Sequence, residues 1–225
     1  HADSTCETLP LARIYISRAQ AYLKNGQPEK ALADFRKASE VYPAYFKPYY
    51  ELGRLYNEQH QLQKAVSSLE KAREMNPSVP EIYNELGDVH NQLNNYHAAL
   101  EYLNKALELD SSLPQAYNNR GISRFNLGHA EGALADFNRS IQNDSLFARA
   151  YSNRGNVYAS MEEFELALKD YNQAVRLAPE DCISLVNRGN VYFQTGRTDS
   201  ACADWRRALE CGFQQAEDLI GTYCE

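Results

Sequence analysis

The chain has 225 residues, 44% of them hydrophobic, with 23 basic against 30 acidic side chains and a net charge of −7. That balance argues against non-specific nucleic-acid binding, which needs Lys and Arg to neutralise phosphates. No apolar run approaches the roughly 20 residues that cross a bilayer. The first residue is His1 rather than Met, so the chain reads as processed or excised, with His1 a candidate tag remnant. Length alone suggests one or two domains; internal repetition is the better guide.

Gly53, Gly87, Gly121, Gly155 and Gly189 recur every 34 residues. The same step links Tyr15, Tyr49, Tyr83, Tyr117 and Tyr151, and also runs from Ala31 to Ala201. Four residues after each Ala comes Phe35, Leu69, Leu103, Phe137, Tyr171 or Trp205. In chain order this gives a lead segment 1–11, repeats at 12–45, 46–79, 80–113, 114–147, 148–181 and 182–215, and a terminal segment 216–225. Tyr49, Leu52, Gly53 and Tyr56, then Ala65 and Leu69, then Pro77 together resemble the tetratricopeptide repeat (TPR).

The resemblance implies an all-α, right-handed α-solenoid of six helix-turn-helix units with a C-terminal capping helix at 216–225. The residues agree with it. Positions 4, 8 and 11 of each repeat, and again 20, 24 and 27, make one apolar stripe per helix. Small residues at 8 and 20 let the paired helices approach, and Gly26, Gly128 and Gly196 suit the turn between them. The eight prolines are expected to avoid helix interiors.

Departures from the pattern are more informative. Position 7 is Leu52 and Leu86 in repeats two and three, but Arg18, Arg120, Arg154 and Arg188 elsewhere. Position 23 changes in step, with Asp34, Asp136, Asp170 and Asp204 in the Arg repeats, Ser68 and Tyr102 in the others. Antiparallel helices joined near position 15 oppose these two positions. An Arg–Asp ion pair within each repeat is therefore expected, in preference to an anion-binding arginine.

In proteins similar to this one, the first helix of each repeat lines a concave groove. The residues assigned to it are Asn84, Asn118, Asn119, Asn153, Asn156, Asn187 and Asn190, with Arg149 and the aromatic candidates Tyr50 and Phe125. An Asn amide both donates and accepts, so it can hold a peptide backbone without reading its sequence. Helix pairs about 10 Å apart match three residues of extended chain at about 3.3 Å each. Asn153 to Tyr158 also resembles the asparagine-ladder repeats of O-linked N-acetylglucosamine transferase. Ordinary helix-surface choice explains the same asparagines. Position 5 has no lysine, so the clamp that binds chaperone C-termini is missing. Arg13, Lys47 and Arg54 are scattered basic residues towards one end. Tyr42 to Tyr50 is a dense aromatic run at a repeat junction and a candidate sticky edge.

No catalytic or phosphate-binding motif appears, no cofactor or metal is expected, and the chain reads as a non-catalytic scaffold for a protein or extended peptide. The alternatives are a substrate-selecting arm of a larger enzyme, such as a glycosyltransferase, and a self-assembling structural module. Four of the five cysteines, Cys182, Cys202, Cys211 and Cys224, lie near the C-terminus. Cys202 and Cys224 form a candidate disulfide; buried free thiols are the other reading. A disulfide points to an oxidising compartment. The tail from Ala201 to Cys224 also resembles bacterial cell-envelope repeat proteins, hence a lean towards the periplasm or envelope.

Overall fold

The computed structural model describes residues 4–224, with side chains from residue 8 onward. The described residues form thirteen helices and no strand. They fall into two compact units, one through Ser111 and the other from Ser112. The first unit stacks three hairpins: α1 (Ser4–Lys24) with α2 (Pro28–Val41), α3 (Phe46–Glu58) with α4 (Leu62–Met75), and α5 (Pro80–Gln92) with α6 (Tyr96–Leu109). The second stacks α7 (Pro114–Asn126) with α8 (Ala130–Asn143), α9 (Ala148–Ser160) with α10 (Phe164–Leu177), and α11 (Cys182–Gln194) with α12 (Thr198–Glu210). The short helix α13 (Ala216–Tyr223) packs on α12. Within each unit, the second helix of one hairpin packs against the first helix of the next.

Five of the six hairpins close where the repeat glycine passes under a large side chain. A Cβ on Gly121 would lie 2.7 Å from the Phe137 ring, on Gly155 2.9 Å from Tyr171, and on Gly189 2.7 Å from Trp205. Phe137, Tyr171 and Trp205 are almost wholly buried there, which stabilises the fold by about 2–3 kcal/mol per ring. Adding a methyl group at the glycine would push the helices apart. The first hairpin uses Ala19 and Phe35, both buried.

The first helix of every pair ends in one motif. The N–H groups of Gln27, Gln61, Asn95, His129, Glu163 and Arg197 each reach back five residues to a carbonyl, from Tyr22 to Tyr192. That bond needs a left-handed residue just before it. Gly26, Gly128 and Gly196 supply it at φ 67°, 83° and 75°. His60, Asn94 and Glu162 adopt φ 55°, 58° and 62° at the same place, at a cost of about 1–2 kcal/mol for a side-chain-bearing residue. Motif closure therefore outweighs local preference in those three turns.

One feature departs from the sequence expectation. Pro10 lies inside α1, because helix begins at Ser4 and continues through the lead segment into the first repeat.

The Arg–Asp positions meet within each repeat. Nε of Arg18, Arg120, Arg154 and Arg188 donates to Oδ2 of Asp34, Asp136, Asp170 and Asp204 at 2.6, 2.9, 2.6 and 2.7 Å. Nη2 donates to the other oxygen of each at 2.6–2.7 Å. The aspartates are buried, so the planar guanidinium fork satisfies both oxygens where water does not. The third nitrogen reaches the preceding hairpin: Arg154 Nη1 donates to Asn138 Oδ1 at 2.5 Å and Arg188 Nη1 to Asn172 Oδ1 at 2.7 Å. Arg124 adds a second cation on Asp136 at 2.7 Å.

Cys202–Cys224 and Cys182–Cys211 form disulfides, with Cα atoms 5.6 and 6.0 Å apart. The first ties α13 to α12; the second joins the two ends of the last hairpin. The ring of Tyr223 on α13 packs at a tilt against Phe193, centroids 4.5 Å apart, and lies 6.1 Å from Trp205.

Because Asp170 is buried, removing its partner alone leaves an uncompensated charge. Arg154→Leu should therefore lower unfolding stability by about 3 kcal/mol. The double change Arg154→Leu with Asp170→Ser, which copies Leu52 and Ser68 of the second repeat, should lose less. Urea unfolding of the two variants makes the comparison, and equal losses would show that the pair does not couple.

Candidate functional site

The first-helix faces of the two units differ in chemistry. In the second unit, α9 and α11 bring Asn156, Asn187 and Asn190 together at a cleft of about 210 Å³, also lined by Tyr171 and Gln194. Asn156 Oδ1 accepts from Asn187 Nδ2 at 2.9 Å and from the Tyr171 hydroxyl at 2.7 Å. Asn190 Oδ1 accepts from Trp205 Nε1 at 3.1 Å. An indole N–H only donates, so Asn190 must turn its oxygen to Trp205 and its NH₂ away. The cleft is thus edged by amide N–H donors on Asn156 and Asn190 and by the carbonyl oxygen of Asn187.

Asn153 Nδ2 donates to Asn118 Oδ1 at 2.9 Å, across α9 and α7. Asn118 in turn donates to Asn119 Oδ1 at 3.4 Å. Asn118 and Asn119 are buried, so these amides join neighbouring first helices and offer a ligand little surface. Asn153 remains partly exposed. Phe125 is half-buried against the cluster of Ala133, Phe137 and Val157. Arg149 is exposed on α9.

The first unit is charged. Arg54 lies 3.6 Å from Glu51 and 3.9 Å from Glu58, and its guanidinium stands 5.9 Å over the Tyr50 ring. Tyr50 is half-buried against the core of this unit, and burial pushes its phenol upward. Asn57 and Gln92 both donate to Asp88 Oδ2, at 2.8 and 2.9 Å. Glu85 is raised to about 7, first by burial and then by the like charge of Asp88. Asn84 is half-buried on the same helix. Arg13 and Lys47, separated in sequence, share a cleft of about 360 Å³ with Ser17, Gln20 and Tyr45. The aromatic run folds inward, with Tyr42, Tyr45, Phe46, Tyr49 and Tyr50 packed on the core.

Tyr171 and Trp205 belong to the site although both sit on second helices, where the repeat pattern reads them as core. The available signal is a co-occurrence. Asn stands at position 9 only in the two repeats whose position 24 carries a polar hydrogen, Asn156 with Tyr171 and Asn190 with Trp205. Among the described residues, no cluster of three or more His, Cys, Asp or Glu is placed to hold a metal. No helix among them is long and apolar enough to cross a membrane.

Glu85 carries a pH signature. A carboxyl whose pKa rises from 4.5 to about 7 on folding binds its proton more tightly in the folded chain. Its contribution is therefore complete below 4.5 and lost as pH climbs towards 7. Unfolding stability of Glu85→Gln, measured across that window, should decline less than that of the parent, by at most about 3 kcal/mol. Parallel curves would remove Glu85 as the cause.

Comparison with known proteins agrees with the repeat geometry. A sequence model described as tetratricopeptide repeat matches residues 12–45 and 148–181, and a second so described matches 50–114, together more than half of the chain. No curated protein matches it. Among solved structures, a chain of the APC/C hetero-tetramer Cut9-Hcn1 superposes with TM-score 0.89 at 21% identity, over 95% of this chain and 43% of that one. This chain thus spans less than half the length of that relative. PilW, a type IV pilus biogenesis factor, aligns with TM-score 0.81 at 20% identity over 94% and 98% of the two chains. YrrB, described as a TPR protein with an unusual peptide-binding site, aligns with TM-score 0.59 at 28% identity over 82% and 97%. The fold is an all-α helical repeat solenoid, a protein-interaction scaffold of a generally non-catalytic kind. Its helix pairs, turn motifs and matched repeats agree: the chain belongs to the tetratricopeptide-repeat family.

Proposed function

We propose that the chain holds an extended peptide or protein segment along its first-helix faces, with the amide-edged cleft of the second unit as the main contact. The observation that carries this is the orientation of Asn156 and Asn190. Tyr171 and Trp205 occupy their oxygens, so their N–H groups face the cleft beside the Asn187 carbonyl. A peptide backbone presents donors and acceptors in alternation and can satisfy both kinds. Because these contacts read backbone, they bind many sequences. In the first unit, the cleft with Arg13 and Lys47 suits an acidic side chain on the partner. The description of YrrB as peptide-binding supports the same use of the fold.

The reading divides the chain into a lead segment 1–11, repeats 12–45, 46–79, 80–113, 114–147, 148–181 and 182–215, and a cap at 216–225. α13 serves as that cap, stapled through Cys202 and Cys224. Two disulfides favour an oxidising compartment, the bacterial periplasm or cell envelope.

Selection from a random peptide library against the intact protein tests the cleft. Binders should be recovered, and the triple change Asn153→Ala, Asn187→Ala and Asn190→Ala should weaken them about tenfold, measured at a temperature where circular dichroism shows the variant, which leaves the Trp205 N–H without its acceptor, still folded. Undiminished binding by the triple variant would exclude the amide cleft. Thiol titration of unreduced, denatured protein should find Cys182, Cys202, Cys211 and Cys224 blocked. Reduction should then lower stability by about 3 kcal/mol for the loop closed by Cys202–Cys224, and five reactive thiols before reduction, Cys6 included, would remove the compartment argument.

A further inference from the structure

The cleft between α1 and α3 of the first unit, about 360 Å³, is lined by Arg13, Ile16, Ser17, Gln20, Tyr45 and Lys47. It gathers two cations and no carboxylate. The other arginines of these two helices are already neutralised, Arg18 by Asp34 and Arg54 by Glu51 and Glu58. Among the described residues, Arg13 and Lys47 make no ion pair and no side-chain hydrogen bond. Glu51 of α3 accepts from Gln20 Nε2 at 3.2 Å and pairs with Arg54, and it pairs with neither cation of the cleft. The hydroxyls of Ser17 and Tyr45 are likewise unengaged. Other clefts lack this imbalance. The one beside Cys211 sets Arg207 against Glu180 and Glu210, and the amide cleft of the second unit has no charged side chain.

We propose that the α1–α3 cleft is a binding site for a phosphate dianion, free or as the monoester group of a ligand. Two unpaired cations beside one space repel each other, and a single doubly charged group relieves both, whereas a lone carboxylate leaves one positive charge over. A phosphate monoester carries about −1.5 to −2 charges at pH 7 and three strong acceptor oxygens. Those oxygens suit the planar fork of Arg13, the ammonium of Lys47 and the two hydroxyl donors. The inference rests on the reading of this cleft as one that takes an acidic group, and it names the group.

The test is NMR of the intact protein titrated with inorganic phosphate, ionic strength being held constant with chloride. Saturable shifts are expected at Arg13, Ser17 and Lys47, with affinity about tenfold or more above that for acetate. Arg13→Gln and Lys47→Gln should each weaken phosphate binding about tenfold, while Lys47→Arg, which keeps the charge, should stay within about threefold of the parent. Neither side chain has a partner to lose, so the variants should keep the parent's melting temperature by circular dichroism. A peptide bearing one phosphoserine supports the site at either strength: binding tighter than inorganic phosphate places the group on a partner segment, equal binding on a small molecule. Equal affinity for acetate and phosphate would overturn the dianion and leave the acidic-group reading standing. Shifts with neither anion, or phosphate binding unchanged in both Gln variants, would overturn the site itself.

Discussion

The close approach of two helices at a small residue, glycine in every hairpin but the first, is the constraint on which the hairpins depend. Where Gly121, Gly155 and Gly189 lie under Phe137, Tyr171 and Trp205, no Cβ fits between backbone and ring. The ring fills the space between the helices, and its burial supplies much of the hydrophobic stabilisation of that unit. Fixing this contact sets the register of one helix on the other. Register then brings position 7 opposite position 23, so the Arg–Asp fork closes on the same face in four repeats. It also sets the chain reversal, which explains why His60, Asn94 and Glu162 accept a left-handed backbone that glycine takes more readily.

The same side chains connect core to cleft. Tyr171 and Trp205 are buried by the packing that closes their hairpins, and each keeps one polar hydrogen that must be satisfied. Asn156 and Asn190 provide the acceptors, and in doing so their amides are oriented. A packing requirement thereby fixes which hydrogen-bonding groups face outward. Hairpins with Leu69 or Leu103 at that place have no such coupling, and the first unit instead gathers carboxylates around Arg54. The last two hairpins gain their oriented amides because position 24 changes from a hydrocarbon to a donor at Tyr171 and Trp205.

Repeat stacks bury each hairpin against its neighbours, so their ends need separate treatment. In the second unit α13 covers the last hairpin, with Tyr223 on Phe193 and a disulfide from Cys224 to Cys202. On α1, Ile14 and Arg18 are exposed. Arg154 and Arg188 show what such an arginine does once covered: it spends its third nitrogen on an amide of the adjoining helix.

The 34-residue period, the pairing of helices and the family were all legible in the sequence, because a hairpin is a local structure and its glycine, alanine and aromatic positions recur visibly. The joint switching of positions 7 and 23 was legible for the same reason. Pro10 was not, since a helix that runs into the first repeat from the lead segment breaks the period that reveals the others. Nor could the pattern separate the asparagines. Asn118 and Asn119 fill the same kind of position as Asn153 and Asn187, yet they are buried while the latter reach the surface. The sequence by itself determined the hairpins and the residue types on each face. Only the tertiary structure decided which amide atoms are used internally and which are left towards the surface. Those outcomes depend on contacts between hairpins and on the direction of each hydrogen bond, and neither is encoded in spacing along one chain.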